Sequence, residues 1–180
     1  MAGTVRIFVA GASGVIGARM VPLLVADVFD ADALTQAVVS FAPEAVFHQL
    51  TDLPDTASEI AAFGDRNDRM RSEGTRNLLA AAAAAGAGRV IAQSISWELP
   101  SDAHRAVTAA HERAVLAAGG VVIRYGQLYG PGTFYPSAPP DPPRIHVDDA
   151  ARQTLPALTA PPGVTLVADD RAAGDRKDQP

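Results

Sequence analysis

The sequence predicts an α/β fold in which a parallel sheet carries helices on both faces. Three features predict it. An apolar run at residues 5–10 ends in a glycine turn and opens into an apolar helix. Short apolar runs alternate with helix-length stretches along the chain, the pattern of successive βα units. The short runs are almost continuously apolar, as strands covered on both faces are.

The first element fixes the rest. Val5-Arg6-Ile7-Phe8-Val9-Ala10 reads as a strand, and Gly11, Gly14 and Gly17 follow at the spacing G-x-x-G-x-x-G. If a dinucleotide sits here, each glycine has a use. Gly11 allows the tight turn, Gly14 lets backbone approach a pyrophosphate, and Gly17 lets the helix pack close to the strand. The helix that starts near Ser13 then offers free N–H groups to the phosphates. Gly11, Ala12, Ser13, Gly14, Val15, Ile16 and Gly17 are therefore candidate cofactor-binding residues, and the fold is Rossmann-like. A tight turn without a ligand is the alternative.

Pro22 allows two readings of what comes next. Either the helix stops near Met20 and residues 23–27 form a second strand ending in Asp27, or Pro22 kinks the helix and only residues 25–27 are extended. Either crossover is short for a βαβ unit. Asp30 suits an N-cap for a helix over residues 31–41, with Leu34, Ala37, Val38 and Phe41 inward. Residues 45–50 form the next strand, and a short helix follows at 57–63. A longer helix runs over 65–85, interrupted at Gly74, with Arg66, Arg69 and Arg76 on a solvated face. A strand at 89–94, a helix at 103–118 and a strand at 121–124 come next. Residues 125–132 read as a loop, and six prolines between Pro131 and Pro143 predict irregular chain. A helix starts at Asp148 and Asp149 and runs to about Leu158. Residues 163–168 form the last strand, and a polar tail begins at 169.

The 180 residues suit one domain over residues 1–168, with 132–168 as a reduced substrate-binding region. A net charge of -5 gives no electrostatic basis for nucleic acid or an anionic membrane. The absence of cysteine removes disulfides, thiolate chemistry and cysteine-bound zinc. No basic leader with an apolar core precedes the first strand, and no apolar stretch is long enough to span a bilayer. These features predict a cytoplasmic protein. His146, Asp148 and Asp149 suit helix capping better than a metal site, so no metal is expected.

Seven ordered stretches resemble the extended short-chain dehydrogenase/reductase superfamily, in its NAD-dependent epimerase/dehydratase branch. They are G-A-S-G-V-I-G, V-A-D-V-F-D-A-D-A-L, V-F-H-Q-L, E-G-T-R-N-L-L-A-A-A, R-V-I-A-Q-S, R-Y-G-Q-L-Y-G-P-G and R-I-H-V-D-D-A-A. The resemblance implies an oxidoreductase or epimerase that uses NAD or NADP. It acts on a small hydroxyl or carbonyl compound or a nucleotide sugar. Asp27, with Val28 beside it, takes the adenine-side position. If residues 23–27 stand in for the missing second strand, Asp27 is instead the ribose partner that favours NAD. Gln49 and Leu50 flank the cofactor. Ser94, or Ser96 if the register slips, is the polar catalytic residue at a strand end. Tyr125 and Tyr129 lie in the segment that closes over nicotinamide and substrate. The helices at 65–85 and 103–118 are where such enzymes pair, which permits a homodimer.

Two departures qualify the resemblance. The family uses a tyrosine and a lysine four residues apart on one helix. Aligned on Glu112, those positions hold His104 and Thr108. No tyrosine precedes Tyr125, and the sole lysine is Lys177. His104 is a candidate replacement acid/base because imidazole titrates near neutrality, and Tyr125 could supply a phenol from another direction. The second departure is length, with stretches missing after Leu24, Leu99 and Tyr135 and at the C-terminus. The chain is either a minimal member or a longer one with stretches omitted. A non-catalytic NAD(P)-binding sensor or partner protein is the rival reading.

Overall fold

The computed structural model describes residues 6–11, 14, 16, 27–54 and 57–169. The polar tail and most of the stretch expected as the first helix, including the segment around Pro22, lie outside them. So do Ala12, Ser13, Val15 and Gly17.

Five strands form one parallel sheet in the order β1 (Ile7–Ala10), β2 (Ala45–His48), β3 (Arg89–Ile95), β4 (Val121–Tyr125) and β7 (Gly163–Val167). The registers pair Val9 with Phe47, Phe47 with Ile91, and Ile91 with Val121. Successive residues of a strand face opposite ways. Each strand therefore feeds two cores. Phe8, Val46 and Val90 pack against Leu34 and Val38 of α1 (Ala31–Phe41) and Leu78, Ala81 and Ala82 of α3 (Thr75–Ala84). Val9, Phe47, Ile91 and Ile123 pack against Val147 and Ala150 of α5 (Val147–Thr154) and against Ile145. Ala92 and Val122 meet Val115 of α4 (Asp102–Ala117). Each fully buried aliphatic side chain contributes roughly 1.5–3 kcal/mol.

Local chemistry sets the helix ends. Asp30 Oδ1 accepts from Ala33 N at 3.0 Å and starts α1. Pro43 disfavours the α conformation for Ala42, which turns left-handed at φ 48° and ends it. Ser101 caps α4 through His104 N.

Two expectations change. The helix expected to break at Gly74 is continuous but rewound. α2 (Gly64–Arg69) passes through a π-turn (Met70–Gly74) into α3. Gly74 does not break it. A Cβ there would stand 3.0 Å from Met70 Sδ, so the helix packs closely at that point. The segment expected as a loop after Tyr125 holds β5 (Gln127–Tyr129), paired in parallel with β6 (Arg144–His146). This two-stranded ribbon lies outside the main sheet. Gly126 makes it possible, since a Cβ there would meet Arg144 backbone at 2.6 Å.

Candidate active site

β1, β2, β3 and β4 are parallel, so their carboxyl ends lie along one edge of the sheet. In open α/β sheets this is the edge where ligands bind. Gly11 leaves β1 at φ +87°, and a Cβ on it would stand 2.5 Å from Gln49 O. The protein's own packing therefore requires glycine at this point. Gly14 N donates to Gly11 O at 3.0 Å and closes the turn, while Ile16 is buried in the core beneath.

Beside this turn, Gln49 Nε2 donates to Tyr125 Oη at 3.4 Å, and Gln49 Oε1 is buried with no partner among the described residues. Ser96 is in the same condition: its backbone N–H donates to Tyr125 O, but its buried Oγ has no partner among the described residues. Leu50 joins the ends of β2 and β3, because its carbonyl accepts from Gln93 Nε2 at 3.1 Å. Asp27 Oδ1 accepts from Phe29 N, closing a tight turn before α1. Val28 is buried in the core, and its carbonyl accepts from Asn77.

The other candidate side chains are spoken for. Ser94 Oγ donates to Glu112 Oε1 at 2.6 Å, and Arg124 grips the same carboxylate through Nε at 2.9 Å and Nη2 at 2.6 Å. Burial pushes the Glu112 carboxyl up, but the hydrogen bonds from Arg124 and Ser94 outweigh it and hold it below the usual carboxylate range. Tyr125 Oη lies under the sheet against Thr154 Oγ1, and burial raises its phenol above the ordinary value. Tyr129 stacks edge-on against the His146 ring. His104 Nδ1 meets Asp68 Oδ2 at 2.6 Å, and its Nε2 is turned toward Gly64. Sequence reasoning named Gly11, Gly14, Gln49 and, second to Ser94, Ser96 as candidates. It also named Ser94, Tyr125 and His104, whose polar atoms are engaged elsewhere.

Beneath the edge runs a hydrogen-bonded ring that sequence reasoning missed. His111 Nε2 donates to Gln93 O at 3.0 Å, which leaves Nδ1 to accept from Thr75 Oγ1 at 2.7 Å. Thr75 in turn accepts from His48 Nε2 at 3.0 Å, and His48 Nδ1 accepts from Leu50 N at 3.4 Å. Gln93 and Leu50 close the circuit. Both histidines must be neutral for this pattern. Burial lowers His48 to about 3, helped by the neighbouring His111 and by the charge of Arg71. His111 is also lowered, by burial first and by Arg71, against the Gln93 hydrogen bond and Glu112. The helical spacing of His104, Thr108 and His111 was a readable sign of a polar stripe facing inward.

Glycine turn, edge and unpartnered acceptors fit a dinucleotide. Among the described residues no group of three His, Asp or Glu could hold a metal. No described helix is long and apolar enough to cross a membrane.

No protein-family model matches the chain. It is 36% identical over 177 residues to a 3-diazoavenalumate denitrifying reductase of Streptomyces sp., and the match covers 72% of this chain and 58% of the reductase. Those 177 positions exceed 72% of a 180-residue chain, so the reductase carries internal segments with no counterpart here. Among solved structures, the UDP-glucose 4-epimerase of Thermotoga maritima aligns at TM-score 0.72 and 16% identity, over 92% of this chain and 77% of its own. The dTDP-glucose 4,6-dehydratase of Streptomyces venezuelae, solved with NAD, aligns at 0.70 and 18%, over 90% and 75%. The dTDP-4-dehydrorhamnose reductase of Bacillus anthracis, solved with NADP, aligns at 0.73 and 16%, over 94% and 76%. The chain therefore carries the fold of the NAD-dependent epimerase/dehydratase enzymes of the extended short-chain dehydrogenase/reductase type, and in sequence it is similar to a reductase.

Proposed function

We propose that the protein is an NAD(P)H-dependent reductase of a small substrate, with its site at the carboxyl edge of the sheet. The observation that carries this reading is the pair of buried atoms without a partner among the described residues, Gln49 Oε1 beside the glycine turn and Ser96 Oγ just past β3. A buried polar atom without a partner costs about 1–3 kcal/mol, so two of them along a ligand-binding edge await one. Residues 11–17, Gln49 and Leu50 hold the dinucleotide, and bound NAD(P)H supplies a hydride. Ser96 donates a hydrogen bond to the substrate. Ser94 fixes Glu112 and stays out of the chemistry.

The missing tyrosine and lysine narrow the substrate. Reduction of a carbonyl needs a proton donor at the oxygen. Reductive loss of nitrogen from a diazonium carbon does not. A C–H bond forms as the C–N bond breaks, and N2 leaves with the bonding electron pair. The relative's name describes a reductase that removes nitrogen from a diazo compound, and a site without an acid suits that reaction better than sugar epimerisation. The same reading sets the protein in the cytoplasm and lets two copies pair through exposed Ala83 and Ala84 of α3 and Ala106 and Ala110 of α4, which sedimentation of the purified chain tests.

The experiment has two steps. NADH and NADPH are titrated by nicotinamide fluorescence. Turnover is then followed by nicotinamide absorbance with an aryl diazonium salt, simple carbonyl compounds and UDP-glucose. Oxidation of the coenzyme with N2 release from the diazonium salt supports the reading. Coenzyme binding with no turnover on any substrate favours a non-catalytic NAD(P)-binding protein, and no binding at all defeats both.

A further inference from the structure

We infer that Arg71 is an oxyanion-binding residue at the sheet edge, taking a substrate carboxylate or a coenzyme phosphate. The inference rests on the reading that this edge holds coenzyme and substrate. Three polar pairs join the helix of α2 and α3 to α4. They are Asp68–His104 at 2.6 Å, Arg71 Nη1 to Thr108 Oγ1 at 2.6 Å, and Thr75–His111 at 2.7 Å. The third pair is tied to strand ends, because Thr75 bonds His48 of β2 and His111 bonds Gln93 of β3. Both helices start at the carboxyl edge and run back across the sheet. Arg71 and Thr108 lie one turn nearer their starts, about 5.4 Å higher. That step carries them from the level of the bonded strand residues His48 and Gln93 toward the carboxyl rim.

The protein answers the charge there only at a distance, through Asp68 and Glu112. The nearest carboxylates are committed, Asp68 to His104 and Glu112 to Arg124 and Ser94. Among the described residues no carboxylate lies within ion-pairing distance of Arg71, and its guanidinium makes the single side-chain hydrogen bond to Thr108. The two histidines below are neutral acceptors and donors with no charge to offer. A guanidinium presents five donors in a planar fork that matches carboxylate or phosphate, and a half-buried one with spare donors is poised for such a group. The π-turn that carries it rewinds the helix at this point, and such turns gather at functional sites. Burial also weakens the hold of Arg71 on its proton, against the charges of Asp68 and Glu112, as expected of a cation lacking a full partner.

The test measures binding of benzoate, benzamide and NADPH by calorimetry to wild type, Arg71→Met, Arg71→Gln and Arg71→Lys, each checked for folding by thermal melt. Methionine keeps the packing of the arginine stem, and glutamine is the second route if that variant fails to fold. The expected result is that wild type prefers benzoate to benzamide by about tenfold or more, that the uncharged variants lose this preference, and that lysine restores part of it. NADPH affinity unchanged in the uncharged variants assigns the oxyanion to the substrate. A tenfold loss of NADPH affinity with benzoate unaffected assigns it to the coenzyme. A folded uncharged variant with wild-type affinity for both benzoate and NADPH overturns the inference. Wild type that binds benzoate selectively but no coenzyme leaves Arg71 standing and removes the reductase reading instead.

Discussion

His48 and His111 are the residues most constrained by their surroundings. Each is buried, and each is held neutral by donating through one ring nitrogen and accepting through the other. Arg71 and Glu112 are the charged groups that face them. A histidine whose folded pKa lies below its unfolded value stabilises the fold fully above the unfolded value, and that stability is lost as pH falls. His48 falls from 6.5 to about 3. Stability is therefore constant above pH 6.5 and drops below it, by about 2 kcal/mol at pH 5 from this residue alone. Thermal melts across this range check the slope, and His48→Gln should flatten it. The two serines separate structure from chemistry. Ser94→Ala removes a hydrogen bond to an ionised Glu112 and should cost about 1–2 kcal/mol of stability. Ser96→Ala removes a hydroxyl with no partner among the described residues. It should raise the melting temperature or leave it unchanged while lowering turnover, as parallel melting and rate measurements would show. The glycine turn, Gln49 and Ser96 could be named as candidates from the sequence because each follows directly on an apolar strand run. The engagement of Ser94 by Glu112 and of Tyr125 by Thr154 could not, since the partners lie 18 and 29 residues away.

Among the elements, those set by nearby residues were readable. Asp30 and Pro43 bound α1, and Ser101 starts α4. Asp30→Ala should cost about 1 kcal/mol, seen in the denaturation midpoint. Gly11→Ala should cost more, because it forces both a positive φ and a Cβ 2.5 Å from the Gln49 carbonyl. It is expected to lower the melting temperature and coenzyme affinity together. The π-turn was not readable, because it follows from how two helices share an interface. Gly74 suggested a break because glycine weakens a helix, but here it makes room for Met70 one turn back and for Val28 packed against it. β5 was hidden for a related reason. Three residues between glycines carry no strand period, and their pairing with β6 is made across a proline-rich excursion.

At the scale of the molecule, the strand order places β1 at one edge of the described sheet and aligns four strand ends along one rim. The alternation of apolar runs and helices was enough to predict this parallel arrangement. The similar reductase has segments inside the match with no counterpart here, and the match spans only 58% of its length. The most direct test of the account is calorimetric titration of the folded wild-type chain with NADPH and NADH. The account predicts saturable one-to-one binding of at least one of them, weakened by Gly11→Ala. A cooperatively folded sample that takes up neither would contradict it.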